Sequence, residues 1–129
     1  YTTLFRSPIF VTNAVPQKQF YKELENSKIV LSPFGWGEVC FRDFEAIVYG
    51  SLLLKPDMSH LQTWPNIYIP YETYVPIDWD ITDLFEKTNY YLSNDAERER
   101  ISKNAWELYN DQRNQIENRF DQILNQIVK

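Results

Sequence analysis

The chain has 129 residues, 43% of them hydrophobic and 16% aromatic, which is enough apolar material for one packed core and excludes intrinsic disorder. Its formal charge of −5 argues against a nucleic-acid partner, because gripping a phosphate backbone needs a basic field, and no basic aromatic stripe offsets that balance. Cys40 is the single cysteine, so an internal disulfide and a multi-thiolate zinc site are both excluded.

There is no initiator Met, and Tyr1-Thr2-Thr3-Leu4-Phe5-Arg6-Ser7 is what a widely used short-read sequencing adapter encodes when translated in frame. These seven residues are expected to be non-native, with the gene-derived chain beginning near Pro8 and residues 8–129 forming the domain. Ile9-Phe10-Val11 reads as a short strand. Pro16, suited to a first helical turn, opens a helix to about Asn26. Lys28-Ile29-Val30-Leu31 is a short apolar run with β-branched residues, a strand, and Ser51-Leu52-Leu53-Leu54 is another.

Between those strands lies the most informative stretch, Ser32 to Ala46. A loop bearing Gly35 and Gly37 runs directly into a helix expected over about Glu38 to Tyr49. A glycine loop at the carboxyl end of a buried strand, feeding a helix N-terminus, can hold an anion such as phosphate. At the 3.6-residue period Cys40, Phe44, Ile47 and Val48 share the side expected to face the sheet, which makes Cys40 a packed core thiol. Glu38, Arg42 and Glu45 fall on the opposite edge. Arg42 is placed to meet a phosphate bidentately, and a carboxylate one turn on can accept hydrogen bonds from a sugar diol. The same three residues equally describe a solvated helix face with a Glu38–Arg42 pair at i,i+4.

Further on, Asp57 to Trp64 is a loop or short helix, and Ile67-Tyr68-Ile69 and Tyr74-Val75-Pro76 are extended pieces around a turn at Pro70-Tyr71-Glu72. Asp80 or Thr82 caps a helix through about Leu92, and Asn94 or Asp95 starts another to about Asn110. A last amphipathic helix carries Ile116, Phe120, Ile123, Leu124 and Ile127. Trp36 and Trp64 could stack on a base or sugar, or simply pack in the core. A hydrolytic triad of Ser59, His60 and Asp57 is rejected, because neighbours in a short loop point apart and no nucleophile elbow is present.

The order Val15-Pro16, Phe20-Tyr21-Lys22-Glu23-Leu24, Ser27 to Pro33, then Phe44-Glu45-Ala46-Ile47 with Gly50, resembles the later part of the C-terminal, donor-binding domain of GT-B glycosyltransferases. It is most similar to a subgroup with Gly-Glu-Val-Cys-aromatic-Arg-Asp-Phe-Glu-Ala followed by Lys-Pro-Asp-Met-Ser-His, here Gly37 to Ala46 and Lys55 to His60. The resemblance covers Pro16 to about Asn110. It implies an α/β fold: an incomplete Rossmann-like parallel sheet with flanking helices, the second half of such a domain.

By the same resemblance Glu45 matches the motif glutamate that binds the ribose hydroxyls of a nucleotide sugar. Glu38 and Glu45 enclose one residue fewer than the family's two glutamates do, and a strict match would fall on Gly37. The resemblance assigns Ser59 and His60 to donor contact, Gly35 and Gly37 to the anion-holding loop, and Arg42, with Glu38, to the reacting diphosphate and sugar. It implies a nucleoside-diphosphate sugar as donor substrate, a hydroxyl acceptor on a glycan or surface polysaccharide, and neither metal nor cofactor. Acceptor binding and commonly the base are expected from an N-terminal domain outside this sequence, in a cytoplasmic protein, free or membrane-peripheral. A non-catalytic nucleotide-sugar-binding scaffold, or another phosphate-binding α/β enzyme, remains compatible with the residues, although no acidic cluster suited to Mg²⁺ stands at a strand end.

Overall fold

The computed structural model describes residues 15–128, so the expected strand at Ile9–Val11 and the adapter-like Tyr1–Ser7 lie outside the described residues. Three strands, β1 (Ile29–Leu31), β2 (Leu52–Pro56) and β3 (Val75–Ile77), form one sheet in that order. Both pairings are parallel, with Val30 opposite Leu53 and Lys55 opposite Pro76. The helices are α1 (Gln17–Glu25), α2 (Phe41–Val48), α3 (Leu84–Ser93), α4 (Asp95–Asn114) and α5 (Ile116–Ile127). This is the expected α/β, Rossmann-like partial fold.

The sheet sorts its side chains by the two-residue period of a strand. Val30 and Leu53 join Leu24 of α1 and Ala46 and Ile47 of α2 on one face, while Leu52, Leu54, Val75 and Ile77 meet Leu84 and Tyr91 of α3 on the other. α4 contributes Ala105 to the first cluster and Ile101 to the second. With both faces covered, every residue of β2 is buried, which explains why Leu52-Leu53-Leu54 is a continuous apolar run and not an alternating one.

Several boundaries differ from the expectation. α2 begins at Phe41, three residues later than Glu38, because Cys40 is extended (φ −140°, ψ 163°) and forms a capping box with Asp43. It ends where Gly50 takes a left-handed φ of 75°, a helix-terminating conformation that glycine adopts without a Cβ penalty. The sheet-facing stripe of α2 is Asp43, Ala46 and Ile47; Val48 is exposed, and Cys40 is the half-buried N-cap. α3 starts behind Asp83, not Asp80 or Thr82, since the Asp83 carboxylate accepts the Asp78 N–H (2.9 Å) and pairs with Lys87 (2.5 Å). α4 runs one turn past Asn110.

Ile67–Ile69 forms no strand; Thr73 Oγ1 closes this loop by donating to the Ile67 carbonyl (2.6 Å) while accepting the Ile69 N–H (2.9 Å). Tyr71, in the turn that follows, has a left-handed φ of 61°. In α5 the expected apolar stripe is present at the expected positions, and none of its residues is buried. Among the described residues no helix is long and apolar enough to cross a membrane.

Candidate functional site

All three strands run parallel, so the segments leaving their carboxyl ends (from Ser32, Asp57 and Asp78) converge at one edge of the sheet. The Ser32–Cys40 segment is anchored there by a buried ion pair. Lys55, at the carboxyl end of β2, and Asp43, in the first turn of α2, are both fully buried, with Nζ 3.2 Å from the carboxylate. Asp43 also accepts from Ser32 Oγ (2.5 Å), Tyr68 Oη (2.6 Å) and the Cys40 N–H (3.1 Å). Cys40 Sγ lies 3.1 Å from Ser32 Oγ and 3.3 Å from the same carboxylate. The Lys55 ammonium completes its shell with the Ser32 carbonyl (3.4 Å) and the Phe34 ring (5.3 Å to the centroid).

A buried charge is tolerable when paired and hydrogen-bonded, and this pair meets both conditions. Burial, with the adjoining Asp43 carboxylate, raises the Tyr68 phenol far above the usual tyrosine range, so it stays a hydrogen-bond donor. The Asp43 carboxylate also sits at the N-terminus of α2, where the helix dipole favours negative charge. The helix end expected to attract a ligand's phosphate is thus already met by the protein's own carboxylate.

Beside this anchor opens a cleft of about 580 Å³. Phe20 of α1 and Pro33, Phe41 and Phe44 form its apolar side, with Gly35, Trp36 and Gly37 along the loop. Arg42 and Glu45 supply its charged groups. Among the described residues neither side chain has a hydrogen-bonding or ionic partner, and Arg42 is exposed. The Glu38–Arg42 surface pair anticipated for a merely solvated face does not form.

Glu38 takes a different position from the one its spacing suggests. Lying before α2 and not on it, it does not share an edge with Arg42 and Glu45. Its carboxylate is instead 4.0 Å from His60 Nε2, on the loop after β2. The structure therefore divides the sequence-derived set: Gly35, Gly37, Arg42 and Glu45 line the cleft, and Glu38 and His60 meet at the adjoining corner. Ser59 is exposed and bonds within its own loop, its hydroxyl donating to Asp57 Oδ1 (2.5 Å), which also accepts the Ser59 N–H (3.0 Å). Those two bonds hold the Asp57 carboxyl below its ordinary range. Tyr74 Oη donates to the same oxygen (3.3 Å) while accepting the Met58 N–H (3.0 Å), and burial pushes its phenol up to about 12.

The corner is completed by aromatic rings that sequence reasoning did not single out. Trp79, just past β3, stands edge to face with Phe34 (5.4 Å between centroids) and His60 (5.1 Å), and its Nε1 donates to the Asp57 carbonyl (3.1 Å). Trp36 projects fully into solvent at the rim of the cleft, and Trp64 is also exposed, so neither is a core residue. Asp43 and Lys55 were missed as well, although a charged residue on the buried stripe of a helix and another inside an all-apolar strand are the sequence signal for such a pair.

A family model described as glycosyl transferase-like matches residues 5–125. No curated protein matches the chain.

Proposed function

This chain belongs to the glycosyl transferase-like family, and we propose that its cleft binds a nucleoside-diphosphate sugar as the glycosyl donor. The observation that carries the reading is the pairing of Arg42 and Glu45 in one cleft, each without a protein partner among the described residues. Surface arginines and glutamates gain little by being left unpaired, whereas a guanidinium matches a diphosphate bidentately and a carboxylate matches a ribose diol. Gly35 and Gly37 let the loop backbone come close to the phosphates, and no neighbouring atom crowds either position. The apolar wall of Phe20 and Phe41 suits a base.

Catalysis would be electrostatic. As an acceptor hydroxyl attacks the anomeric carbon, negative charge grows on the departing diphosphate, and Arg42 stabilises that charge more strongly than it does the ground state. Glu38 and His60 stand at the corner where the sugar would lie, and Ser59 acts by fixing the loop. In this reading the acceptor is a glycan or polysaccharide hydroxyl, and neither a cofactor nor a metal takes part.

The reading is tested by calorimetric titration with a panel of nucleotide sugars, comparing the unaltered chain with Glu45→Gln. Loss of a charged partner to a diol costs on the order of 1.5–3 kcal/mol of binding free energy, with the fold intact because the Glu45 carboxylate has no hydrogen-bonding or ionic partner among the described residues. Unchanged affinity for every nucleotide sugar that binds would refute the ribose assignment.

A further inference from the structure

We infer that Trp79 is a specificity-determining residue: a stacking platform for the pyranose ring of the donor, in a saccharide subsite separate from the nucleotide cleft. The inference rests on the donor reading above.

Trp79 is 62% exposed although three contacts fix it. Phe34 and His60 pack against it edge to face, and its only polar atom is spent on the Asp57 carbonyl. What the indole still offers a ligand is therefore apolar ring surface. The backbone behind it is held too: Ile81 adopts a left-handed φ of 56°, unusual for a β-branched residue, and its N–H donates to the Asp78 carbonyl (2.8 Å). A ring held still at a strand end is a preorganised binding surface, since little freedom remains to be lost when a ligand covers it.

The surroundings say which ligand chemistry fits. The indole bonds the backbone of one aspartate, Asp57, and two more, Asp78 and Asp80, flank Trp79 in the chain. Among the described residues Asp57 and Asp80 each use only Oδ1, so each retains an oxygen able to accept from a hydroxyl. A phosphate would be repelled here. A neutral polyol with one C–H face, the character of a hexopyranose, matches both the ring and the carboxylates. Charge thus segregates along the donor, with the diphosphate toward Arg42 and the sugar toward Trp79. Phe34 joins the two places, touching Trp79 while its chain neighbours Pro33 and Gly35 line the cleft.

The test is ¹⁹F NMR of the chain labelled with 5-fluorotryptophan, its four signals assigned by single Trp→Phe changes. The probes are UDP, GDP, UDP-glucose, UDP-N-acetylglucosamine and GDP-mannose. The Trp79 signal should move with a nucleotide sugar and not with its parent nucleotide, whereas the Trp36 signal, at the cleft, should move with both. Trp79→Ala should weaken the nucleotide sugar about three- to tenfold and leave the nucleotide unchanged, and Trp79→Phe should recover part of the loss. A Trp79 signal that stays put while the Trp36 signal moves would overturn the inference and spare the donor reading, as would an equal loss for nucleotide and nucleotide sugar in Trp79→Ala. Binding of none of the probes would overturn both. Because the NMR readout uses the unsubstituted chain, a failure of Trp79→Ala to fold leaves the inference open to refutation.

Discussion

Lys55→Met isolates the buried ion pair. Methionine keeps the unbranched apolar stem that β2 packs and removes only the ammonium, leaving Asp43 charged and fully buried. Stripping one partner from a buried pair costs about 3–5 kcal/mol. Here Ser32 Oγ, Tyr68 Oη and the Cys40 N–H still donate to the carboxylate, so the lower end applies, about 3 kcal/mol. For a chain of this size that corresponds to a fall of roughly 12 °C in Tm. Asp43→Asn should also destabilise, by stranding the ammonium. The double variant should cost at least ~1.5 kcal/mol less than the sum of the two single changes, since neither leaves a lone buried charge once both are gone. Urea denaturation of all four proteins measures the cycle. If the single costs add within about 0.5 kcal/mol, the two residues do not act as a pair and the anchoring role of Lys55 fails.

Arg42→Ala should leave Tm nearly unchanged, as the guanidinium has no partner among the described residues, but on the proposed donor reading should lower glycosyl transfer by about 10²–10³. Arg42→Lys should recover only part of that rate, and a loss of turnover that merely follows a loss of stability would make Arg42 an ordinary surface cation. Alkaline pH should destabilise the fold, because folding raises the Tyr68 and Tyr74 phenols and the unfolded chain releases those protons first. Stability should be intact below about pH 10 and fall as the pH climbs toward about 12, the range in which Tyr74 ionises in the fold. Urea midpoints between those limits check this, with Tyr74→Phe giving a shallower decline; midpoints flat across the range would count against it.

The parts of the fold legible in the sequence are those where local period and burial agree. Ile29–Leu31 and Leu52–Leu54 are short apolar runs bounded by serine or lysine, and both lie in strands. Glu38 was placed on a helix because i,i+4 spacing alone cannot tell whether a helix has begun. The start was decided by Asp43 reaching back to Cys40, a tertiary choice, since Lys55, Ser32 and Tyr68 hold that carboxylate in place. Asp43 itself was hidden by the rule that charges face water, and Lys55 by the same rule in β2. Trp79 could not be singled out at all, as its contacts come from the ends of two other strands, β1 and β2. Arg42 and Glu45 were legible because consecutive turns of a helix fix their common edge however the helix begins.

The left-handed turn at Tyr71 gives the molecule an unused thermal reserve. A non-glycine residue in that conformation costs about 1–2 kcal/mol, and Tyr71 recovers little of it, with half its surface in solvent and one lysine above its ring. Its structural duties belong to the backbone, whose N–H donates to the Tyr74 carbonyl and whose carbonyl accepts from Arg100. Glycine or asparagine can take over both. Ile81, the other left-handed non-glycine among the described residues, offers no such opportunity, because its side chain is buried in the cluster of Leu84 and Tyr91. Heat tolerance can therefore be engineered at residue 71, which does not line the cleft, whereas the equally strained position behind Trp79 has to be left as it is.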